Sequence, residues 1–246
     1  MTDVVVLAAG LGRRLASVTA LPKWLTPVGD TCPADAHLAA FARAGIDRTL
    51  VVVGDQPAPI LDRLAPWRDR LAVEVVANDR SADRNNWYSL LLGLDEWLAG
   101  AGPDDDVAVV NSDLYAAPTW FEKLLGSVAG PGAALAVDPE RGRTDEAMKV
   151  AVAPDGLVTA IGKVGVPEPD GEYVGLAWFD HAAARGLRAE LAAFLDQPAR
   201  ADHWYEHAIA EHLAAGAPYR AVPVPSSDWV EIDDEADLAA ARRLLP

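Results

Sequence analysis

Groups that could bind phosphate are concentrated near the start of the chain. A short run of valine and leucine at residues 4–7 is followed by the sequence Ala-Ala-Gly-Leu-Gly at residues 8–12, and then by Arg13 and Arg14. This pattern predicts a buried strand that ends in a turn whose backbone amides can approach phosphate closely. Leu15 stands where a dinucleotide-binding fingerprint has Gly or Ala, and no Gly-Lys-Ser/Thr sequence follows for a P-loop.

A lysine then follows on a separate segment, in the sequence Leu-Pro-Lys-Trp-Leu at residues 21–25. The chain has only four lysines, Lys23, Lys123, Lys149 and Lys163, and arginine supplies its other basic side chains. A compact ammonium group on a flexible stem suits a moving phosphate better than a planar guanidinium group does. The position of Lys23 therefore predicts a role in phosphate binding. The alternative is an ordinary strand-to-helix turn with solvated cations.

Two aspartates follow predicted strands in distant parts of the chain. Asp113 comes after the apolar run at residues 107–110, and Asp233 ends the segment at residues 229–233. The carboxyl edge of an α/β sheet is where such proteins bind ligands, which favours a functional role over a simple turn for Asp113. Asp234 is a natural N-cap for the helix predicted after it and needs no other function.

Short apolar runs alternate with helical patterns through most of the chain. This rhythm predicts an α/β fold, with one Rossmann-like, mostly parallel mixed sheet flanked by helices. The predicted strands are residues 4–8, 48–53, 72–76, 107–110, 132–137, 219–224 and 229–233, and the predicted helices are residues 33–44, 60–71, 85–98, 119–127, 181–195, 204–214 and 235–245. An Asp-Gly pair between residues 148–152 and 157–161 predicts a β-hairpin elaboration.

The composition indicates one domain over residues 1–246 and excludes several classes of protein. A net charge of -16 disfavours a nucleic-acid surface, and no apolar run reaches membrane-spanning length. The single cysteine, Cys32, excludes an internal disulfide, and the first residues lack the features of a secretion signal. These features predict a cytoplasmic protein. They do not indicate an oligomeric state.

Two histidines, His203 and His207, have a spacing that can bind zinc. No third ligand is suggested nearby, so a packed or solvated helix face is the favoured interpretation.

The glycine-rich turn and the Pro-Lys segment together resemble the nucleotidyltransferases that activate sugar phosphates and phosphocholine. The matching residues are 9–15 and 22–25. The resemblance implies that the turn holds the triphosphate of an NTP and that Arg14 and Lys23 neutralise it as catalytic residues. The nucleotide-binding residues that it implies in this segment are Leu7, Ala8, Ala9, Gly10, Gly12 and Arg13. It also divides the chain into a nucleotide-binding part (1–137), an acceptor-binding part (138–228) and a closing strand and helix (229–246).

The same resemblance implies a magnesium ion held by Asp113 and Asp233. The family's middle motif is a small residue, glycine and aspartate, whereas this chain has Asn111, Ser112 and Asp113. Mg²⁺ commonly takes one or two carboxylates together with substrate phosphates.

Several further segments resemble the phosphocholine cytidylyltransferase branch. The sequence Asn-Trp-Tyr-Ser-Leu begins a predicted helix, whose start lies beside the nucleotide base in that branch, and this implies base contacts from Asn86 and Ser89. Capping of the helix is their alternative role. The implied acceptor-binding residues are Lys163, Lys149 as a second choice for the acceptor phosphate, Tyr173, Trp178, Trp204 and Tyr205. The aromatic residues could form a cage for a quaternary amine, or they could be core.

These resemblances imply transfer of CMP from CTP to a small phosphate or phosphonate acceptor, such as phosphocholine or an alkylphosphonate, with release of pyrophosphate. A sugar-1-phosphate uridylyl- or thymidylyltransferase is the alternative within the family. A non-catalytic nucleotide-sensing subunit and a glycosyltransferase are alternatives of other classes. The presence of Lys23, Asp113 and Asp233 argues against a non-catalytic subunit. The absence of an Asp-x-Asp motif from the middle strand argues against a glycosyltransferase.

Overall fold

The computed structural model describes residues 2–10, 12–128, 130–142 and 144–244. Within these residues, a nine-stranded sheet forms the centre of the protein and a smaller sheet has two strands. The large sheet contains β1 (Thr2–Ala8), β2 (Arg48–Val53), β3 (Ala72–Ala77), β4 (Asp106–Asn111), β6 (Ala133–Asp138), β7 (Lys149–Val152), β8 (Val158–Gly162), β9 (Gly171–Asp180) and β10 (Tyr219–Pro223). The small sheet contains β5 (Leu114–Ala116) and β11 (Trp229–Glu231).

Helices cover both faces of the large sheet. They are α1 (Pro33–Ala44), α2 (Ala58–Leu64), α3 (Asn86–Gly100), α4 (Pro118–Val128), α5 (His181–Ala193), α6 (Tyr205–Ala214) and α7 (Glu235–Arg243). Short 3-10 helices span Arg13–Leu15, Lys23–Leu25, Ala65–Trp67 and Pro198–Arg200. Across the described residues, no helix is both long enough and apolar enough to cross a membrane.

The strand order in the large sheet is β10, β6, β9, β4, β1, β2 and β3, with the β7 and β8 hairpin attached to β9. Strands β4, β1, β2 and β3 are parallel, as are β6 and β10, whereas β9 runs antiparallel to both of its neighbours, β4 and β6. The hairpin turns at Asp155 and Gly156, where Gly156 has a φ of 85°. The predicted mostly parallel mixed sheet and its hairpin are therefore confirmed.

Strand β1 is buried on both faces because its side chains alternate between two apolar cores. Val4 and Val6 pack in the core that contains Trp24 and helix α1, while Val5 and Leu7 pack in the core that contains helix α3. The run of β-branched residues suits this doubly buried position. The two cores together hold the sheet between its helix layers.

The parallel register brings the ends of the central strands to one edge. Leu7 of β1 lies opposite Asn111 of β4, and Ala8 lies opposite Val53 of β2. The segments that follow these strands therefore meet at the carboxyl edge of the sheet. The glycine-rich turn and Asp113 lie on two of these segments.

The small sheet was not predicted, and it brings the closing part of the chain to the same edge. Strand β11 pairs antiparallel with β5, with Glu231 opposite Leu114. The Ile232 backbone N–H then donates a hydrogen bond to the Asp113 backbone carbonyl at 2.9 Å. This pairing places Asp233 beside Asp113, although 119 residues separate them in the sequence.

Most predicted helices agree with the structure to within two residues at each end, but the helix predicted over residues 60–71 differs more. The pattern predicts a helix over residues 60–71, but α2 ends at Leu64 and is followed by the 3-10 helix Ala65–Trp67. Pro66 has no backbone N–H to continue the helix and its ring clashes with the preceding turn, which explains the break. The predicted closing helix reaches residue 245, which lies outside the described residues, and α7 ends at Arg243.

Candidate active site

A cleft of about 1070 Å³ opens at the carboxyl edge of the sheet. Most of the residues predicted for the site line it, and they come from segments that are distant in sequence. The predicted residues on its wall are Leu7, Ala9, Gly10, Arg14, Lys23, Asn86, Ser89, Asp113, Lys163, Tyr173, Trp204 and Asp233. The structure therefore gathers both ends of the chain and its middle motif around one space.

The glycine-rich turn and Lys23 are packed directly against each other. The Lys23 backbone N–H donates to the Gly10 carbonyl at 3.3 Å. Gly12 has a φ of 60°, and a Cβ atom built there would lie 3.2 Å from the Lys23 Cβ. A larger residue at position 12 would therefore be strained in itself and would displace the lysine. Gly12 and the buried Ala8 support the turn without lining the cleft, and the side chain of Arg13 lies outside the described part of the structure.

The ammonium group of Lys23 lies between the two predicted metal ligands. Its Nζ is 2.6 Å from Asp113 Oδ2 and also forms an ion pair with Asp233 Oδ1. Arg14 Nη2 is 2.6 Å from the other oxygen of Asp233. The Lys23 side chain is only 14% exposed, whereas Arg14 is 63% exposed. Two cations and two carboxylates thus form one cluster, with Lys23 at its centre.

Burial and charge oppose each other within this cluster. Burial alone would lower the pKa of Lys23, but the carboxylates of Asp113 and Asp233 outweigh it and raise the pKa above its ordinary value. Burial would likewise raise the pKa of Asp233, but the charges of Lys23 and Arg14 outweigh it and lower the pKa. The lysine is therefore positive and Asp233 negative at neutral pH. Burial, reinforced by the nearby Asp113 and Asp233, raises the pKa of Glu231, which also lines the cleft.

The donor set fits a magnesium ion. Asp113 Oδ1 is buried and has no hydrogen-bond partner, so it is available to a cation. The position of the Lys23 ammonium shows that a positive charge is accommodated between Asp113 and Asp233. No cluster of three or more His, Cys, Asp or Glu side chains suited to a metal was found among the described residues. Two carboxylates that rely on substrate phosphates for the remaining ligands are a donor set that Mg²⁺ commonly uses.

The start of α3 forms one wall of the cleft. The Asn85 side chain accepts a hydrogen bond from the Asn86 N–H and is the N-cap of the helix. Asn86 Oδ1 accepts from the Tyr205 backbone N–H at 3.0 Å, while no described protein group accepts from its Nδ2. Ser89 Oγ accepts from Asn78 Nδ2 at 2.9 Å, which leaves the serine hydroxyl proton free to be donated. Both side chains therefore present donors on this wall.

Two polar groups on the preceding loop also line the cleft, and the sequence analysis did not identify them. Ser81 Oγ and Arg84 Nη1 are both buried and have no hydrogen-bond partner. The Arg84 guanidinium lies over the rings of Trp87 and Tyr88, at 5.3 and 4.9 Å from their centroids. No sequence pattern marks these residues, because a charged loop is expected to be solvated.

The acceptor-side lysines have different positions. Lys163 lines the cleft, where its Nζ lies 4.6 Å from the centroid of the Trp204 ring and 3.2 Å from Glu146 Oε2. Lys149 does not line the cleft, and its Nζ donates to the Lys163 backbone carbonyl at 2.7 Å. Lys149 therefore supports the segment that carries Lys163, and does not itself face the acceptor space.

The aromatic residues predicted for acceptor binding are divided between the wall and the core. Tyr173 and Trp204 line the cleft, but Tyr205 is fully buried and its hydroxyl donates to Asn111 Oδ1 at 3.0 Å. The Tyr173 and Tyr205 hydroxyls are 2.8 Å apart. Trp178 is 1% exposed within the core of the sheet. Trp178 and Tyr205 are thus closed off from an acceptor, because strand β9 and helix α6 turn these side chains towards the packed layers.

Glu206, which the sequence analysis did not assign, is buried in the wall of the cleft. It is 5% exposed, and its Oε2 has no hydrogen-bond partner. Burial raises the pKa of this carboxyl to about 7, and the charge of Asp113 adds to the shift, whereas Lys163 and the Tyr205 hydroxyl oppose it. A buried carboxylate with an unpaired oxygen is costly, so a bound cation would stabilise the ionised form.

This shift gives a testable dependence of stability on pH. Folding raises the pKa of Glu206 from 4.5 to about 7. Between these two pH values the native state therefore keeps a proton that the unfolded state has already lost. The free energy of unfolding should therefore fall relative to that of Glu206→Gln across this window, by on the order of 3 kcal/mol. Urea unfolding of both proteins at pH 4.5, 6 and 8 measures the difference. A constant difference would mean that Glu206 titrates normally.

The histidines His203 and His207 are stacked, with ring centroids 4.3 Å apart, and His207 stacks in turn on Trp204. They belong to no cluster of three potential metal ligands among the described residues. The two imidazole rings therefore pack on each other and on the Trp204 ring.

Comparison with known proteins identifies a family and relatives that match about half of the chain or more. A family model described as a MobA-like NTP transferase domain matches residues 4–212. A 2-aminoethylphosphonate cytidylyltransferase from Lancefieldella rimae is 26% identical over 247 residues, which cover 97% of this chain and 91% of that protein. A choline-phosphate cytidylyltransferase from Streptococcus pneumoniae is 32% identical over 122 residues, so this chain spans about half the length of that relative.

A solved structure shows the same fold. The inositol-1-phosphate CTP transferase from T. maritima superposes with a TM-score of 0.76 at 19% identity, over 99% of this chain and 95% of that chain. The family model covers most of the chain, from β1 into α6, and it includes the glycine-rich turn, Lys23 and Asp113. The chain therefore belongs to the MobA-like NTP transferase domain family.

Proposed function

We propose that this nucleotidyltransferase is magnesium-dependent and transfers CMP from CTP to a small phosphate or phosphonate that carries an amine, releasing pyrophosphate. The observation that supports this most directly is the pairing of two charge clusters in one cleft. Lys23 and Arg14 surround Asp113 and Asp233, and the same cleft presents Lys163 and the buried carboxyl of Glu206, whose Oε2 has no hydrogen-bond partner. The first cluster suits a triphosphate, and the second suits a zwitterionic acceptor.

In this reaction an acceptor oxygen attacks the α-phosphorus of CTP, and the bond between that phosphorus and pyrophosphate breaks. The electron pair leaves with pyrophosphate, so no protein nucleophile is required. The work of the protein is to position the reactants and to stabilise charge. Magnesium at Asp113 and Asp233 would supply positive charge to the phosphate oxygens.

Lys23 is the principal protein charge for the transferred phosphate. Both of its partners in the structure are carboxylates, and the phosphate oxygens of the substrate would take their place. The more exposed Arg14 and the amides of the turn at Gly10 bind the outer phosphates. The exposure of the two side chains supports this assignment, since Lys23 is more buried than Arg14. The charge that acts on the reacting phosphorus must be the most desolvated one.

The wall formed by helix α3 supports a preference for cytosine. The Asn86 amide nitrogen and the Ser89 hydroxyl are both free to donate. Cytosine presents two adjacent acceptors, O2 and N3, whereas uracil replaces the second with an N–H donor. A pair of donors therefore favours CTP over UTP, because an unpaired buried donor is costly.

The acceptor side supports recognition of an amine by a carboxylate more than by an aromatic cage. Lys163 already lies over the Trp204 ring, and His207 stacks against that ring as well. Trp178 and Tyr205 are buried in the core. Glu206 remains as a buried carboxyl on the wall, and its Oε2 lacks a hydrogen-bond partner. An acceptor whose phosphonate contacts Lys163 and whose ammonium contacts Glu206 would provide each of these two side chains with a group of opposite charge.

Pyrophosphate release tests this function. We expect turnover with CTP and 2-aminoethylphosphonate or phosphocholine, and little or none with UTP or dTTP and glucose 1-phosphate. Faster transfer to glucose 1-phosphate would reassign the protein to the sugar-phosphate enzymes. No pyrophosphate from any nucleotide and acceptor pair would favour a nucleotide-sensing protein or a glycosyltransferase.

Substitution of Glu206 separates recognition of the amine from the rest of the reaction. Glu206→Gln should raise the KM for 2-aminoethylphosphonate by about tenfold, because loss of a charge-assisted hydrogen bond costs roughly 1.5 kcal/mol or more. The KM for ethylphosphonate, which has no amine, should hardly change. Glu122→Gln is the matched control, since Glu122 is exposed on helix α4 and does not line the cleft. Equal effects on both acceptors would exclude an amine contact.

A further inference from the structure

Helix α1 carries a buried histidine, His37, behind the active site. Its side chain is fully buried and does not line the cleft. The Trp24 indole N–H donates to His37 Nδ1 at 3.0 Å, and His37 Nε2 lies 2.7 Å from the Leu114 backbone carbonyl. The ring therefore joins two segments that are 90 residues apart in sequence.

The two segments are those that carry the central ion pair. Trp24 is the neighbour of Lys23 in the 3-10 helix Lys23–Leu25, and Leu114 is the neighbour of Asp113 at the start of β5. Lys23 Nζ and Asp113 Oδ2 are 2.6 Å apart on the cleft side. The contacts close a ring of interactions, in which His37 bridges the two backbones from behind and the ion pair bridges them in front.

The hydrogen bonds define the state of the histidine. An indole N–H can only donate and a carbonyl can only accept, so Nδ1 must be unprotonated while Nε2 carries the proton. Burial supports this neutral state, because it lowers the pKa of His37 to about 4. The rings of Phe41 and Phe121 pack against the imidazole, with centroids 5.9 and 4.6 Å away. The bridge is thus held in one orientation and one tautomer.

From this geometry we infer that His37 is a positioning residue for the nucleotidyl transfer. Through Trp24 and Leu114 it fixes the separation of Lys23 and Asp113, and therefore where the lysine charge meets the transferred phosphate. The inference rests on the proposed function only in treating these two side chains as part of the reacting centre. A misplaced charge costs transition-state stabilisation more than it costs substrate binding.

Three substitutions on α1 test the inference. Glutamine can accept from Trp24 and donate to Leu114, so His37→Gln should retain most of the turnover. His37→Leu removes both bonds and should lower kcat by about tenfold or more, while the KM for CTP changes by less than about threefold. Phe41→Leu is the matched control, because it alters the same packed cluster without touching either hydrogen bond. Its kcat should stay within about twofold of the parent value.

A double-mutant comparison shows whether His37 acts through Lys23. In a Lys23→Ala background, His37→Leu should cause little further loss of kcat, because the group that it positions is already absent. Fully additive losses would overturn the inference. So would an unchanged kcat in a folded His37→Leu protein, or equal losses in His37→Leu and Phe41→Leu.

Lysine labelling gives a readout that does not depend on activity. Acylation of Lys23 by an amine-reactive ester, measured by peptide mass spectrometry against the exposed Lys123, should be several-fold faster in His37→Leu and unchanged in Phe41→Leu. Equal rates in these two variants would refute the bridge even if no nucleotidyl transfer were found. Should His37→Leu fail to fold, Trp24→Phe replaces it, because it removes the indole N–H donor, and it is expected to speed labelling of Lys23 in the same way. It also removes packed volume, for which Phe41→Leu is again the control.

Discussion

Replacement of Lys23 by alanine is expected to lower kcat by about 100- to 1000-fold, the usual cost of removing one preorganised charge from a transition state. The lysine is 14% exposed at the centre of the site, and among the side chains that the structure describes only the more exposed Arg14 lies close enough to share its role. Lys23→Arg should restore little activity, because a planar guanidinium cannot occupy the space between Asp113 and Asp233 in the same way. Steady-state pyrophosphate release measures both variants.

The control for this experiment is Lys123→Ala, which removes an exposed lysine from helix α4. It should have kcat within about twofold of the parent, as expected for a surface substitution. Circular dichroism and thermal unfolding should show that Lys23→Ala remains folded. Near-native turnover in a folded Lys23→Ala protein would remove the lysine from the mechanism.

The central elements of the fold were predictable because local and tertiary signals agree there. Helix α1 has the predicted bounds, since Pro33 provides a favourable first turn and Gly45 ends the helix in the left-handed conformation with a φ of 68°. Strands β1, β2 and β4 are short β-branched runs that suit burial on both faces. In such segments the sequence pattern and the packing favour the same structure.

The small sheet could not be predicted in the same way. The strand at residues 229–233 was predicted, but β5 has only three residues, which is too short for a periodic pattern, and its pairing with β11 joins distant parts of the chain. The resemblance to a known family, and not the strand pattern, placed Asp233 with Asp113. The structure supplies the physical reason, because the pairing of β5 with β11 carries Asp233 to the edge where Asp113 lies.

Burial also decided which side chains of the acceptor region are accessible. Glu206 lies in an amphipathic helix between two histidines, where a carboxylate is ordinarily solvated, and nothing in the sequence indicates its burial. Conversely, Trp178 and Tyr205 have the residue types of an aromatic cage but lie in the core. Composition identifies candidate side chains, whereas packing determines which of them face the cleft.

Substitution of the two aspartates should have the other large effect. Asp113→Asn and Asp233→Asn are each expected to lower kcat/KM by about 100-fold or more at a fixed, moderate Mg²⁺ concentration, because a metal ion at phosphate supplies several kcal/mol. Added Mg²⁺ should recover part of this loss, since each variant keeps one carboxylate. Titration of activity with MgCl₂ measures the shift in half-maximal concentration.

The double substitution and a neighbouring aspartate separate a shared ion from two independent effects. Ligands of one ion act as a unit, so the double variant should be no more than about threefold worse than the poorer single variant. Asp234→Asn should stay within about twofold of the parent, because asparagine caps a helix as well as aspartate does. Asp234 Oδ1 accepts from the backbone N–H groups of Ala236 and Asp237 at 2.8 and 3.0 Å, as an asparagine oxygen can.

The outcome for Asp234 is also a test of the register of β11. Asp233 contacts Lys23 and Arg14, whereas Asp234 is exposed and caps α7. If Asp234→Asn proved as damaging as Asp233→Asn, the ligand assignment would be displaced by one residue and the pairing of β11 with β5 would be in doubt. Fully additive losses in the double variant would instead mean that Asp113 and Asp233 act separately, with Asp233 serving mainly to hold Lys23 and Arg14.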